Sequence, residues 1–243
     1  MIRESAIGLK SERELAPVVF ITGTDTGSGK TLLTALLLQH LRSSGSSALA
    51  MKPFCSGGRD DVSLLSRLQE GELSGEEINP YYFQAPVAPL VGARKVRRPI
   101  APADALQRID AVRRRCHCLL IEGSGGLLVP LGKSFFVADL VAALDGQVVI
   151  AARNKLGVIN HALLTCRVLG LYGVRRIKIA LMDCRKADAS APTNAKILRE
   201  LLPAIKVVSL PFLGVGADTV HAVKRNHKKV KKKLARILEF GTF

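Results

Sequence analysis

The chain contains no apolar run approaching the roughly 20 residues of a membrane-spanning helix. Its first residues, Met1-Ile2-Arg3-Glu4 through Arg13-Glu14, mix charges and lack the apolar core of a signal peptide. No internal repeat and no linker divides it. Cysteine is scarce: there are 5, an odd count, with neither the spacing of a zinc site nor a redox C-x-x-C pair. Cys116-His117-Cys118 reads as two thiols on one side of a strand, not as a metal cluster. These absences speak against a membrane protein, a disulfide-stapled secreted domain and a zinc module, and reduced thiols fit a cytoplasmic setting. Acids are also few, 20 against 36 basic residues, for a net charge of +16. Half of that excess stands between Lys224 and Arg236, where eight basic residues occur without an acid. Val223, His227, Val230, Leu234 and Ile237 recur through the same stretch at helical spacing. The expectation is a C-terminal helix over about 218–240, with its apolar face on the core. Its basic face is read as solvated, in preference to a nucleic-acid or other acidic contact.

What is present is a hydrophobic α/β pattern. With 243 residues, 48% of them hydrophobic, and a mean hydropathy of +0.21, the chain can bury a sizeable core. Residues 1–16 read as a flexible lead-in and 17–243 as one domain. Short apolar runs at Val18–Thr22, Ala48–Lys52, Cys118–Glu122, Gln147–Ala151, Ile177–Met182 and Lys206–Leu210 read as strands. Helical segments alternate with them at Thr31–Ser43, Asp61–Gln69, Pro102–Arg115, Phe135–Leu144, Val158–Leu169 and Asn194–Leu202. Such alternation predicts a parallel β-sheet flanked by helices on both faces, with ligands at the carboxyl ends of the strands.

The first strand runs into Gly23-Thr24-Asp25-Thr26-Gly27-Ser28-Gly29-Lys30-Thr31 and then a leucine-rich helix. Strand, glycine-rich turn, Gly-Lys-Thr and helix in that order make a phosphate-binding loop, so the fold is that of the P-loop NTPases. Backbone N–H groups and the helix N-terminus would face phosphate oxygens, Lys30 the β- and γ-phosphates, and the Thr31 hydroxyl a Mg²⁺ ion. The loop is a variant: Thr24 stands where a glycine is usual, and Gly23 lies one residue earlier.

Other polar motifs follow other strands. Lys52-Pro53-Phe54-Cys55-Ser56-Gly57 would aim Lys52 at the phosphate site. Asp60 and Asp61 open the next helix; Asp60 is read as a cap or a solvated residue and Asp61 as a metal ligand. Glu122, ending an apolar strand before Gly123-Ser124-Gly125-Gly126, would approach the metal with Thr31 and Asp61. The loop Asn79–Pro89 is rich in proline and aromatics and would wall a substrate cleft. At Gly157–His161, the N–H groups opening a helix would make a carboxylate site, with His161 on the helix surface or at an interface.

Together these motifs resemble those of dethiobiotin synthetases, over about residues 17 to 215. The resemblance rests on Gly23–Thr31, Lys52–Gly57, Asn79–Pro89, Glu122–Gly126 with Pro130-Leu131, and Gly157–His161; Leu210–Gly214 looks like the family's late nucleotide-side loop. It implies formation of dethiobiotin from 7,8-diaminopelargonate, CO₂ and ATP with Mg²⁺. The amine becomes a carbamate, the carbamate attacks the γ-phosphate, and the second amine closes the urea. By the same resemblance, Lys30, Lys52, Thr26 and Ser56 serve the reacting head. The nucleotide would meet Thr24, Asp25, Gly27, Ser28, Gly29, Lys30, Thr31, Asp183, Pro211 and Leu213. The substrate would meet Ser56, Glu122 and Gly125, and, on the partner subunit of a homodimer, Gly157, Val158, Ile159 and Asn160.

The chain departs from some members of that family. Gly27 stands where they carry Glu, Leu90 where they carry His, and Asp183 where an Asn reads the base. An ionised Asp only accepts hydrogen bonds, so either the adenine amino group or guanine suits it. The rival reading is a partner-binding P-loop ATPase of the partitioning or metal-insertion type. Such proteins carry a second lysine early in the loop, where this chain has Thr24 and Asp25. An amidotransferase-type synthetase would add a glutaminase domain, for which 243 residues leave no room. A nucleic-acid-binding protein with a degenerate nucleotide site does not fit the intact Lys30, Thr31, Lys52, Asp61 and Glu122.

Overall fold

A computed structural model describes residues 15–239. The lead-in read over residues 1–16 lies, up to residue 14, outside the described residues. In chain order the elements begin β1 (Val18–Gly23), α1 (Lys30–Ser43), β2 (Ala48–Met51), β3 (Phe54–Ser56), α2 (Asp60–Leu68), α3 (Gly75–Ile78), β4 (Tyr81–Phe83), α4 (Pro89–Lys95) and α5 (Pro102–Arg113). They continue with β5 (Cys118–Glu122), β6 (Pro130–Gly132), β7 (Phe135–Phe136), α6 (Val137–Leu144), β8 (Gln147–Asn154), α7 (Val158–Leu171), β9 (Ile177–Asp183), α8 (Ala191–Leu201), β10 (Lys206–Leu210) and α9 (Val220–Leu238).

Six strands form one parallel sheet in the order β10-β9-β8-β1-β5-β2. All six residues of β1 are buried, as a central strand covered on both faces requires. The chain leaves β1 toward β2 on one side and β8 toward β9 on the other, so right-handed crossovers put α1 and α7 on opposite faces. Packing agrees: α1 contacts α2 and α9 on one face, while α5 contacts α6 and α7 contacts α8 on the other. Leu33, Leu36 and Leu37 of α1 join Phe20, Ile21 and Leu120 of the sheet in the core. The direction of winding reverses beside β1, which places a crevice at the carboxyl ends of β1, β5 and β8.

The edge strand β2 is closed by a side chain. Gln69 donates to Ala50 O (3.2 Å) and accepts from Ala50 N (2.9 Å), replacing a seventh strand at that point. Beyond β2, Pro53 interrupts the ladder and β3 pairs instead with β4, Phe54 stacking on Tyr81 at 4.9 Å. This small two-stranded sheet was not expected. Its strands have three residues each, too few to show a periodicity.

Other boundaries shift. The helix expected over Phe135–Leu144 begins at Val137, because Phe135 and Phe136 pair with β6 across a tight turn. Asp139 accepts from Phe136 N (2.7 Å) and so fixes the helix start. Asp60 lies exposed in the first turn of α2 and makes no capping bond, since Arg59 holds the cap position. Cys116 precedes β5, its thiol donating to the carbonyls of Val112 and Arg113 at the end of α5; it does not share the strand with Cys118.

Candidate active site

The phosphate loop is shaped by two left-handed glycines, Gly27 and Gly29, and one close approach. Gly29, at φ +97°, turns the chain into α1, and a Cβ there would press on Met182 at 3.3 Å. Lys30 then doubles back over the loop, donating to Asp25 O at 2.9 Å. A Cβ on Gly23 would stand 2.8 Å from Lys30 Nζ and 2.2 Å from Ser28 Oγ. That contact accounts for the shifted glycine: it is required where the lysine crosses, not at Thr24. Asp25 Oδ1 accepts from Thr26 N at 2.6 Å and tightens the same turn. Gly27 (φ +70°) has open space around it, so the departure there leaves no clash and no contact.

Lys52 is delivered by the corner between β2 and β3. Its backbone N donates to Ile78 O (2.9 Å), and buried Asn79 donates to the carbonyls of Lys52 (2.9 Å) and Pro53 (3.3 Å). The ammonium reaches Glu122 Oε1 at 2.8 Å and also pairs closely with Asp61. Thr31 Oγ1 donates to the same Glu122 oxygen at 2.8 Å. Residues from four separate elements therefore converge: Thr31 from α1, Lys52 after β2, Asp61 from α2 and Glu122 from β5.

Two cations and two anions share this small volume. Glu122 has a fully buried side chain and its Oε2 finds no hydrogen-bond partner among the described residues. Burial, reinforced by the charge of Lys52, holds the Lys30 ammonium below the ordinary lysine range. Burial pushes Lys52 the same way, but the attraction of Glu122 and Asp61 wins and raises it above that range. Lys52 is a fixed cation; Lys30 is a cation whose charged form gains from an added anion.

The groups line a cleft of about 890 Å³. Thr26, Gly27, Gly29, Lys30, Thr31, Lys52, Ser56, Asp61, Glu122 and Gly125 all border it. Ser56 Oγ is buried there without a partner among the described residues; Ser28 Oγ is also buried and unpartnered, but Ser28 lies outside the lining. Pro86–Pro89 wall one side, where the proline-rich loop was expected. Gly157, Val158, Ile159 and Asn160 do not border this cleft; they open α7. Thr24, Asp25, Pro211, Leu213 and Asp183 are also outside its lining. Asp183, at the end of β9, accepts from Asn154 Nδ2 at 2.8 Å, and Asn154 is held in turn by Asn194 at 2.9 Å.

Sequence reasoning did not find several lining residues. Gly216, Ala217 and Asp218 come from the turn between β10 and α9, just past the Leu210–Gly214 loop that the resemblance pointed to, of which Gly214 borders the cleft. Cys55 borders the cleft through its fixed position on β3; burial raises its thiol pKa, and it donates to Gly58 O at 3.2 Å. Asn79 opens the Asn79–Pro89 loop, but its hold on Lys52 was not foreseen; Asn154, which holds Asp183, had no signal beyond its type. Among the described residues no group of three His, Cys, Asp or Glu is arranged for a metal. An all-oxygen set is available from the Thr31 hydroxyl, Asp61 and the free Oε2 of Glu122, with the balance of ligands left to phosphate or water.

A glycine-turned loop between a central parallel strand and a helix, with a lysine folded over it, defines a P-loop nucleotide-binding protein. A model of the AAA domain family matches residues 18–227. The fold is shared with the cell-division protein MinD of Aquifex aeolicus (TM-score 0.57, 13% identity, 94% of this chain and 99% of that one). The solved structure of Cyanthece apo McdA is similar to the same extent (TM-score 0.55, 13% identity, 92% of this chain and 99% of that one). Sequence relatives are more specific. The ATP-dependent dethiobiotin synthetase BioD of Bacillus licheniformis is 39% identical over 202 residues, 81% of this chain and 83% of the relative. That of Anaeromyxobacter sp. strain Fw109-5 is 40% identical over 187 residues, 74% and 84%. The chain belongs to the ATP-dependent dethiobiotin synthetase family.

Proposed function

We propose that this chain is a carbon–nitrogen cyclo-ligase that makes dethiobiotin from 7,8-diaminopelargonate, CO₂ and ATP. The observation that carries the reading is the meeting of Lys30, Lys52, Thr31, Asp61 and Glu122 in one cleft at the carboxyl end of the sheet. A carbamate oxygen on the diamine attacks the γ-phosphorus and ADP departs. The second amine then attacks the carbamoyl carbon, the ring closes and phosphate leaves. Lys30 and the loop N–H groups would hold the γ-phosphate. Lys52, kept protonated by its two carboxylates, would hold the carbamate. Ser56 and Thr26 would orient the head. Positioning and charge neutralisation of this kind supply most of the rate in phosphoryl transfer. Mg²⁺ suits the Thr31, Asp61 and Glu122 oxygens, and when bound it neutralises charge on the phosphates. Asp183, Pro211 and Leu213 are assigned to the base.

The same reading includes a homodimer. The first N–H groups of α7, at Gly157–Asn160, would take the substrate carboxylate of the other subunit. Leu164 and Leu171 on α7 are 57% and 80% exposed, which supports a covered face there.

The test is substitution within the cluster. Lys52→Ala is expected to lower kcat by about 100-fold or more, as for loss of a group that neutralises developing charge. Glu122→Gln, which keeps the shape but removes the charge, should lower it similarly with a smaller loss of stability than Glu122→Ala. Truncating one partner of a buried pair costs about 3–5 kcal/mol. Near-normal kcat in the folded Lys52→Ala protein contradicts the assignment.

A further inference from the structure

The exposed face of α9 is chemically unlike the rest of the surface. Lys224, Arg225, Lys228, Lys229, Lys231, Lys232, Lys233 and Arg236 are all exposed. At 100° per residue they cover an arc of about 200° and a length of about 18 Å. The opposite face, with Val223, Val230, Leu234 and Ile237, is fully committed to the core against α1 and β10. None of the eight cations takes part in an ion pair among the described residues. Lys233 alone has a hydrogen bond, to Ser209 O at 2.7 Å. The other seven have no partner among the described residues. Five like-charge pairs are spaced i,i+4: Lys224–Lys228, Arg225–Lys229, Lys228–Lys232, Lys229–Lys233 and Lys232–Arg236. Each such pair destabilises a helix. Apart from the Lys233 bond to Ser209 O, none of the eight side chains makes a docking hydrogen bond or ion pair among the described residues; the core face docks α9.

We infer that this face is a docking surface for the phosphodiester backbone of a nucleic-acid duplex, bound without sequence preference. Sequence patterning alone read the strip as solvated, because it could not show whether neighbouring elements bring acids to it; among the described residues none forms an ion pair with it. Several features select a duplex. A membrane-binding helix would turn its apolar face to lipid, whereas that of α9 is buried. The basic arc carries no aromatic side chain for stacking on single-stranded bases. It also carries no Asn or Gln for reading base edges, since Asn226 is buried and donates to Leu213 O. What remains is a row of flexible cations at a spacing that tracks phosphates.

The experiment is fluorescence anisotropy with a labelled DNA duplex of about 20 base pairs, from about 50 to 200 mM KCl. Two full-length variants carry equal charge loss. One is Lys224→Gln, Lys228→Gln, Lys231→Gln and Lys232→Gln. The other removes four exposed cations elsewhere: Lys95→Gln, Arg114→Gln, Arg175→Gln and Lys186→Gln. None of these positions borders the cleft. The unmodified protein should bind with a log–log salt slope of about −3 to −5, for roughly four or five phosphates. The α9 variant should bind at least tenfold more weakly at about 100 mM KCl, and the control variant within about twofold of the unmodified protein. Equal weakening in both variants overturns the site, because net charge alone would then explain binding. So does absence of duplex binding, whether or not anionic phospholipid vesicles are bound instead.

Discussion

The Glu122 carboxylate links Thr31 at the start of α1 to Lys52 at the corner after β2. One oxygen receives both Thr31 and Lys52, and the other remains free. Asp183, proposed for the base, has one oxygen taken by Asn154, which leaves an acceptor-only edge. Asp183→Asn adds a donor there and should raise the preference for ATP over GTP by about tenfold, read as a ratio of kcat/KM values. An unchanged ranking of triphosphates would remove Asp183 from the base site. At this scale the loop residues were legible, because Gly-Lys-Thr after a strand permits one arrangement. Asn79 and Asn154 were not, because each acts through hydrogen bonds to backbone or side chains that only the fold brings near. The reason for Gly23 was likewise hidden until Lys30 was seen to cross it.

The junction of α1 and α9 contains a buried histidine pair. His40 Nδ1 lies 3.3 Å from His227 Nε2, with Ser43 Oγ at 3.4 Å from the same nitrogen. Burial lowers both pKa values; Lys231 adds to the effect at His40, and His40, Lys231 and Lys228 add to it at His227. A histidine depressed in the folded state contributes stability above its unfolded pKa and loses it as the pH falls through the folded value. The melting temperature should therefore fall by a few degrees between about pH 7 and pH 5, and His227→Gln should flatten that fall. Equal slopes in both proteins would show that His227 takes up its proton alike in the folded and unfolded chain and would contradict this account of the pair. The long elements were legible in the sequence because their apolar periodicity spans several turns or a whole buried strand. The short strands β3, β4, β6 and β7 were not, since tertiary pairing and not local pattern decides two or three residues.

Across the molecule, alternating strands and helices were enough to specify the parallel sheet and the end at which its main cleft opens. The strand order β10-β9-β8-β1-β5-β2 was not specified, because crossover direction leaves no local signal. No described helix is long and apolar enough to cross a membrane. The last helix is part of the fold itself: Val223, Leu234 and Ile237 are fully buried, and Lys178 donates to Arg236 O at 2.8 Å beneath its C-terminal end. Deleting residues 224–243 should expose that seam and leave the chain aggregated or molten, as judged by sedimentation and near-ultraviolet dichroism. A well-folded truncation that loses only turnover would contradict this account.

The most direct measurement is product formation followed by mass spectrometry. The purified protein is given 7,8-diaminopelargonate, bicarbonate and Mg²⁺ with ATP, CTP or GTP in separate reactions. The account predicts dethiobiotin, formed in step with nucleoside diphosphate and phosphate and dependent on the diamine. Triphosphate hydrolysis without the diamine, and no dethiobiotin with any nucleotide, would contradict it and favour a partner-binding ATPase.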